Sequence, residues 1–417
     1  MLLGGVKVGA DSRGVYTLTS ADPLLPPVRA LRIAMVTETY PPEVNGVART
    51  VALMVEGLRR RGHAIQLVRP RRDADDGPAS AEGFEELLRP GLPIPRYTQL
   101  RLGLPSKQAL LRAWSAHRPD VVHVATEGPL GWSALAAARK LALPVATDFH
   151  TNFHAYSRHY GFAWMARPVA AYLRHFHNRA QSTLVPTEEM AEALSELRFE
   201  RLRVVGRGVD HAVFKPGRRS AELRTSWGAA EDTPVALCVS RFAPEKNFPL
   251  VLEAYEAMRR VRHDTRLILV GDGPMLAQLR RSSASCVIAG RRVNGDLAAH
   301  YASADVFLFP STTETFGNVT LEAMASGLGI VAYRYAAARQ HLEHGRSALL
   351  APFDDRAAFI AQAERIAREP QLARVLGAQA RATAEQLGWD RVVRDFEAAL
   401  REVAPGAARA GSAHVAA

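Results

Sequence analysis

Two cations and two carboxylates stand out in the second half of the sequence. Arg241 and Lys246 lie five positions apart in Ser240-Arg241-Phe242-Ala243-Pro244-Glu245-Lys246-Asn247, directly after an apolar run. A guanidinium offers a planar fork and an ammonium a compact point charge, so the pair can clamp a pyrophosphate. Only five of the 53 basic residues are Lys, which makes Lys246 read as chosen for its shape. On spacing alone, two solvated charges beside a helix start explain the pattern equally well.

The carboxylates are Glu314 and Glu322, in the stretch from Pro310 to Met324. Gly317 lets backbone approach a ligand. A helix beginning near Asn318 would offer free N–H groups and a positive dipole end to an anion. One carboxylate can then accept from sugar hydroxyls and the other from ribose hydroxyls. Taken singly, each Glu also suits an ordinary helix. Val270-Gly271-Asp272-Gly273-Pro274 reads as a strand, a turn and a helix start with Pro at the first helical position. It lacks the third Gly of the dinucleotide fingerprint.

In the first half, Gly46 opens a long helix after Tyr40-Pro41-Pro42-Glu43-Val44-Asn45 and could point an N–H into a cleft. His150 follows Asp148 at a strand end and can polarise a hydroxyl. A hydrogen-bonded structural His is the equal alternative. His123, inside an apolar strand, reads as core. From Arg158 to Arg179, residues Met165, Val169, Tyr172, Leu173 and Phe176 share one helical face, ringed by Arg167, Arg174 and Arg179. Such a helix either packs on its domain or lies on an anionic membrane. The sequence has no triad spacing, no metal-ligand His pair and no phosphate-loop Lys motif.

The elements that must position these residues follow one rhythm. Short apolar runs alternate with helical segments: Leu31–Thr37, Ala64–Val68, Val121–Ala125, Val145–Asp148 and Thr183–Pro186, then Val235–Ser240, Leu267–Gly271, Cys286–Gly290, Val306–Pro310, Gly329–Tyr333 and Ala348–Ala351. Runs apolar on both faces suit parallel strands covered by helices. The pattern occurs twice, which predicts an α/β chain of two facing Rossmann-like domains with a central cleft. The expected divisions are a lead at 1–30, a first domain at 31–205, a linker at 206–219, a second domain at 220–388, a C-terminal helix at 389–404 and a loose tail at 405–417. The last helix follows the second domain's pattern.

Net charge is +11 over 417 residues. The excess is spread, with 23 basic against 17 acidic residues over 31–205 and 27 against 23 over 206–417, so nucleic acid is not the default partner. Cys238 and Cys286 sit in apolar runs without metal-ligand spacing, which suits a reducing compartment. Neither a signal peptide nor a transmembrane stretch is evident.

Taken together, the motifs resemble the retaining glycosyltransferases of family 4, with the GT-B fold. The resemblance runs from about Arg32 to Trp389. It rests on Pro-Pro…Asn45-Gly46-Val47, Arg241…Glu245-Lys246-Asn247, Val270 to Pro274, and Glu314-Thr-Phe-Gly317…Leu-Glu322-Ala-Met324 with Gly327. It implies that the first domain binds acceptor and the second binds a nucleoside-diphosphate sugar. Arg241 and Lys246 would hold the diphosphate, and Glu322 the ribose. Phe316, Gly317, Asn318 and Val319 would support sugar and phosphates. The base would sit near Gly290, Arg291 and Arg292, and Gly46 would approach from the first domain. Glu314 and His150 are the candidate catalytic residues. Asp148, Arg167, Arg174 and Arg179 are the candidates for the acceptor or membrane side.

The implied reaction is hexosyl transfer with retention, without metal or other cofactor, the departing phosphate taking the acceptor's proton. The nearest subgroup comprises bacterial mannosyl-, glucosyl- and sulfoquinovosyl-type enzymes. That favours GDP-mannose or a UDP-hexose as donor and a membrane lipid such as diacylglycerol as acceptor, at the cytoplasmic face of the membrane. A soluble transferase acting on a small or phosphorylated sugar is the alternative, and a non-catalytic carbohydrate- or nucleic-acid-binding protein a remote one. The chain departs from the family at Ala125, at Gly329 and at Ala336-Ala337-Ala338-Arg339, where relatives often carry His, Pro and a Gly-Gly pair. Those positions leave the donor sugar open.

Overall fold

The computed structural model describes residues 29–43, 45–94, 97–150, 166–282 and 285–404, with short strands at 9–10 and 16–17. Most of the N-terminal lead, the stretch 151–165 with Arg158 and Met165, and the tail from 405 lie outside the described residues.

The first sheet contains β1 (Arg32–Val36), β2 (Ala64–Pro70), β3 (Ser80–Ala81), β4 (Phe84–Arg89), β5 (Val121–Val124), β6 (Val145–Asp148), β7 (Ser182–Val185) and β8 (Leu202–Val204). Their order is β8-β7-β6-β5-β1-β2-β4-β3, parallel except for the β3–β4 pair. The second contains β9 (Val235–Val239), β10 (Arg266–Val270), β11 (Val287–Gly290), β12 (Val306–Phe309), β13 (Gly329–Tyr333) and β14 (Leu349–Ala351). Its order is β11-β10-β9-β12-β13-β14, all parallel. Both sheets are doubly wound. Strand order reverses between β1 and β5 in one and between β9 and β12 in the other, and ligands of such sheets bind at that reversal.

Both faces of each sheet are buried, which is why the strands read as unbroken apolar runs. Ile33 and Met35 pack on one side of β1, Ala34 and Val36 on the other. Val235, Leu237 and Val239 alternate likewise with Ala236 and Cys238. Burial pushes the Cys238 thiol up to about 12, so it is a core side chain and no nucleophile at neutral pH.

Three strands of the first sheet escape an apolar search: β3, of only two residues, β4 and β8. β4 reads Phe-Glu-Glu-Leu-Leu-Arg because its carboxylates are used: Glu86 accepts from Arg69 at 2.9 and 3.0 Å, and Glu85 from Gln66 at 2.8 Å. β8 has only three residues.

The C-terminal helix Trp389–Val403 packs on the first domain, a destination that the sequence reading did not assign. Val392, Val393, Phe396, Ala399 and Leu400 join Ile33, Met35, Val121 and Ala146 in one core cluster. Gly57 makes this fit, since a Cβ there would lie 2.4 Å from Val393 Cγ2. The polypeptide therefore crosses between domains twice. The crossings touch, with Val209 bridged to Gly388.

Candidate active site

The donor-side loops flank the reversal of the second sheet. Ser240 and Arg241 follow β9; Pro310 to Gly317 follow β12. Lys246 ends a 3-10 turn, Pro244–Lys246, and its side chain is buried. Its Nζ pairs with Glu314 Oε1 and lies 3.3 Å from Thr313 O and 3.4 Å from Ser311 Oγ. The structure thus joins the cation of one loop to the carboxylate of the other. Arg241 is half-exposed and donates to the fully buried Glu245 at 2.5 Å.

Gly271 and Gly273, in the turn after β10, allow a close backbone approach. A Cβ on Gly271 would lie 1.9 Å from Ser240 O, and one on Gly273 2.6 Å from Phe242 O. Both glycines let the Arg241 loop lie flat on its neighbour. Pro274 is not the first helical residue; the helix is Leu276–Ser282. Met275 N donates instead to Phe242 O at 2.9 Å, which delays helix entry.

Gly317 has φ +91 at the N-cap of the helix Asn318–Ala325, a left-handed conformation that costs a side chain about 1–2 kcal/mol. The first N–H groups of that helix lie beside Glu314. Thr313 Oγ1 and Asn318 Oδ1, on either side of Glu314 in sequence, are buried without a hydrogen-bond partner in the protein. Buried polar atoms of this kind invite a ligand. Phe316 is buried and Val319 packs partly on the same core. Glu322 projects from the helix, 6% exposed, with Tyr301 OH 3.1 Å from Oε2. Gly290 has φ +73 and open space around it, at the end of edge strand β11. Arg291 is exposed; Arg292 is tied to Ala289 O at 2.9 Å and Asp296 at 3.1 Å.

From the first domain, Asn45 caps the helix Gly46–Arg60 by accepting from Ala48 N at 2.8 Å, and space beside Gly46 is open. Arg49, one turn on, donates across the cleft to Glu322 Oε1 at 3.0 Å. Other contacts cross the cleft too. Thr315 Oγ1 donates to His150 O at 2.9 Å, and Ala336 N to Glu189 Oε2 at 2.8 Å. Arg339 pairs with Glu189 at 2.9 Å. Two of these contacts use positions where the sequence departs from the family.

The His150 ring belongs to a buried cluster. Its Nε2 lies 3.2 Å from Asp148 Oδ2 and its Nδ1 3.3 Å from Arg207 Nη2, while Arg207 also reaches Asp148 Oδ1 at 3.1 Å. Burial pushes the His150 imidazole down to about 4, against the pull of Asp148. Burial opposes the charge of Asp148, but Arg207 and His150 hold its carboxyl below the ordinary range. The backbone of His150, not its ring, meets the donor loop. His123 packs edge-on against Phe396 at 4.9 Å, as a core residue.

The basic helix spans Ala166–His177. Leu173 and Phe176 of its apolar face are buried in the domain. Arg174 donates to Leu197 O at 3.2 Å, and Arg179 stands over Trp132 at 5.3 Å. Arg167 and Tyr172 are exposed.

Glu38 carried no sequence signal. It sits at the reversal of the first sheet and accepts from Leu130 N at 3.0 Å. Burial pushes its carboxyl up to about 7. The folded state therefore favours the protonated form. Stability from this group is full below the ordinary carboxyl range and is lost as pH rises towards 7. Glu38→Gln should leave the unfolding temperature unchanged at pH 5 and raise it by a few degrees at pH 8, at most about 3 kcal/mol. An equal shift at both pH values would contradict this.

Two facing doubly wound sheets, with these loops at the reversal of the second, define a two-domain glycosyltransferase of the GT-B kind. The description "Glycosyltransferase Family 4" matches residues 44–213, and "Glycosyl transferases group 1" matches 233–369. The chain belongs to glycosyltransferase family 4. It is 34% identical over 328 residues to the GDP-mannose-dependent alpha-mannosyltransferase of Mycolicibacterium smegmatis, covering 78% of this chain and 85% of that one. It is 27% identical over 316 residues to the alpha-monoglucosyldiacylglycerol synthase of Streptococcus pneumoniae, covering 73% and 71%. In fold it matches sucrose-phosphate synthase from Thermosynechococcus elongatus, with a TM-score of 0.72 at 19% identity, over 89% of this chain and 98% of that one.

Proposed function

We propose that this glycosyltransferase moves mannose from GDP-mannose to a lipid acceptor built on diacylglycerol, at the cytoplasmic face of the membrane. The observation that carries the reading is the Lys246–Glu314 pair at the sheet reversal, beside the start of the Asn318 helix. The mannosyl and glucosyl-lipid relatives support the donor and acceptor classes. Among the described residues no helix is long and apolar enough to cross a membrane, so contact with the lipid is peripheral in this proposal.

In the proposed reaction, Arg241 and Lys246 hold the diphosphate, and the backbone at Phe316–Val319 supports its oxygens. Glu322 accepts from the ribose and Glu314 from sugar hydroxyls. The base lies near Gly290–Arg292. The bond from the anomeric carbon to the phosphate oxygen breaks as the acceptor oxygen attacks from the same face. The acceptor's proton goes to the departing phosphate. Two cations and a helix N-terminus supply the charge stabilisation, so no metal is required. Asp148, with His150 and Arg207, shapes the acceptor side.

Thermal unfolding with GDP-mannose, UDP-glucose and ADP-glucose tests the reading, since a donor that binds the folded state raises its melting temperature. GDP-mannose should give the largest rise, undiminished by chelator. No rise with any donor would overturn the proposal, and a rise that needs divalent metal would overturn its mechanism.

A further inference from the structure

Arg49 has no assigned role, yet it is the first-domain side chain that reaches the buried carboxylate of the second. Taking a carboxylate out of water costs several kcal/mol unless a cation or donors offset it. Burial pushes the Glu322 carboxyl above its ordinary range, and Arg49 and Tyr301 oppose that shift. Among the described residues, those are the two titratable groups that face it. A protonated carboxyl has lost acceptor capacity and cannot receive both hydroxyls of a cis-diol; an ionised one has about four acceptor positions. Arg49 occupies one with a single nitrogen, and Tyr301 another. Room remains on Glu322 for a diol without displacing either. The Arg49 side chain is 47% exposed and stands over the Phe214 ring of the linker at 5.7 Å. It is thus held at the seam between domains while about half of its side chain stays open to solvent.

We propose that Arg49 is a positioning residue for the donor: supplied by the first domain, it keeps Glu322 charged to accept the ribose diol, so the nucleotide is gripped fully only when the domains close. This deepens the reading of Glu322 as the ribose contact and rests on it. A plug would behave oppositely. If Arg49 merely blocked Glu322, its removal would tighten nucleotide binding.

The test titrates GDP into the full chain by calorimetry, for wild type, Arg49→Ala and Arg49→Lys. Arg49→Ala should weaken GDP by about tenfold or more, the scale of one charge-assisted hydrogen bond. Its deficit should grow as pH falls from 8 to 6, because Glu322 then takes up a proton more readily. Arg49→Lys should recover part of the loss. A 2′,3′-dideoxy analogue of GDP should bind wild type and Arg49→Ala equally, which a merely structural defect would not produce. In turnover the loss should fall on the donor KM more than on kcat. Wild-type binding of GDP with unchanged or tighter binding by Arg49→Ala overturns this inference alone. Absence of nucleotide binding by wild type, with GDP, UDP and ADP all tried, removes the proposed function and the inference together.

Discussion

Glu314→Gln is expected to slow hexose transfer by about 100-fold or more while GDP binding stays within about threefold of wild type. The amide keeps the shape and still presents an oxygen to Lys246 Nζ. What it loses is the negative charge that the proposed reaction directs at the sugar, an interaction worth most in the transition state. Lys246→Ala should act differently. It strips the partner from Glu314 and removes the donation of Lys246 to Ser311 Oγ and Thr313 O, so it should weaken nucleotide binding and lower stability as well. Lys246→Arg should not restore activity, because a planar fork does not fit a pocket built for a compact ammonium. Initial rates with saturating donor, alongside GDP titrations, check all three. Full activity in Glu314→Gln would remove this carboxylate from the mechanism.

The largest effect on stability is expected far from the cleft. Phe396→Ala should destabilise the chain by about 3–5 kcal/mol. Phe396 is fully buried under the first sheet, its ring against that of His123. It also anchors the helix that closes the second crossing between domains. Arg61, His63 and Arg401 converge on Glu397 beside it and fix the same helix. Thermal unfolding of the variant should show a drop of many degrees, with the first domain melting earlier. Activity at low temperature should survive, since no donor or acceptor contact is removed. A shift under about 1 kcal/mol would mean the helix is not the clamp described.

Much of this architecture was legible in the sequence for a physical reason. Parallel strands buried on both faces must be apolar throughout, so β1, β5, β9, β10 and β12 announce themselves. β4 does not, because its two Glu answer buried partners on β2. The C-terminal helix shows its apolar stripe but not what it covers. The destination is set by the uncovered face around Met35 and Ala146, many residues away. The loops carrying Lys246 and Glu314 stood out because each directly follows an apolar strand run, and Glu322 lies on the helix after the second of them.

The cross-cleft partners were not. Arg49 and Glu322 are 273 positions apart, and a lone Arg on an amphipathic helix looks like any solvated charge. Glu189 is likewise an ordinary first-turn Glu until Ala336 and Arg339 meet it. Ala336 takes φ +50, a conformation that favours Gly. Its N–H and the Arg339 guanidinium are both spent on Glu189. The Arg339 side chain thus adds a contact between domains. Sequence reading left His150 open between polarising a hydroxyl and a hydrogen-bonded structural role; Asp148 and Arg207 face its two ring nitrogens.

The most direct test of the central claim is a transfer assay with GDP-[14C]mannose, wild-type chain and vesicles containing diacylglycerol, followed by extraction and proton NMR of the product. The account expects label in the lipid fraction, joined through an α-linkage, and far less with Glu314→Gln. A β-linked product, or donor that stays intact with every lipid acceptor offered while GDP still binds, would contradict it.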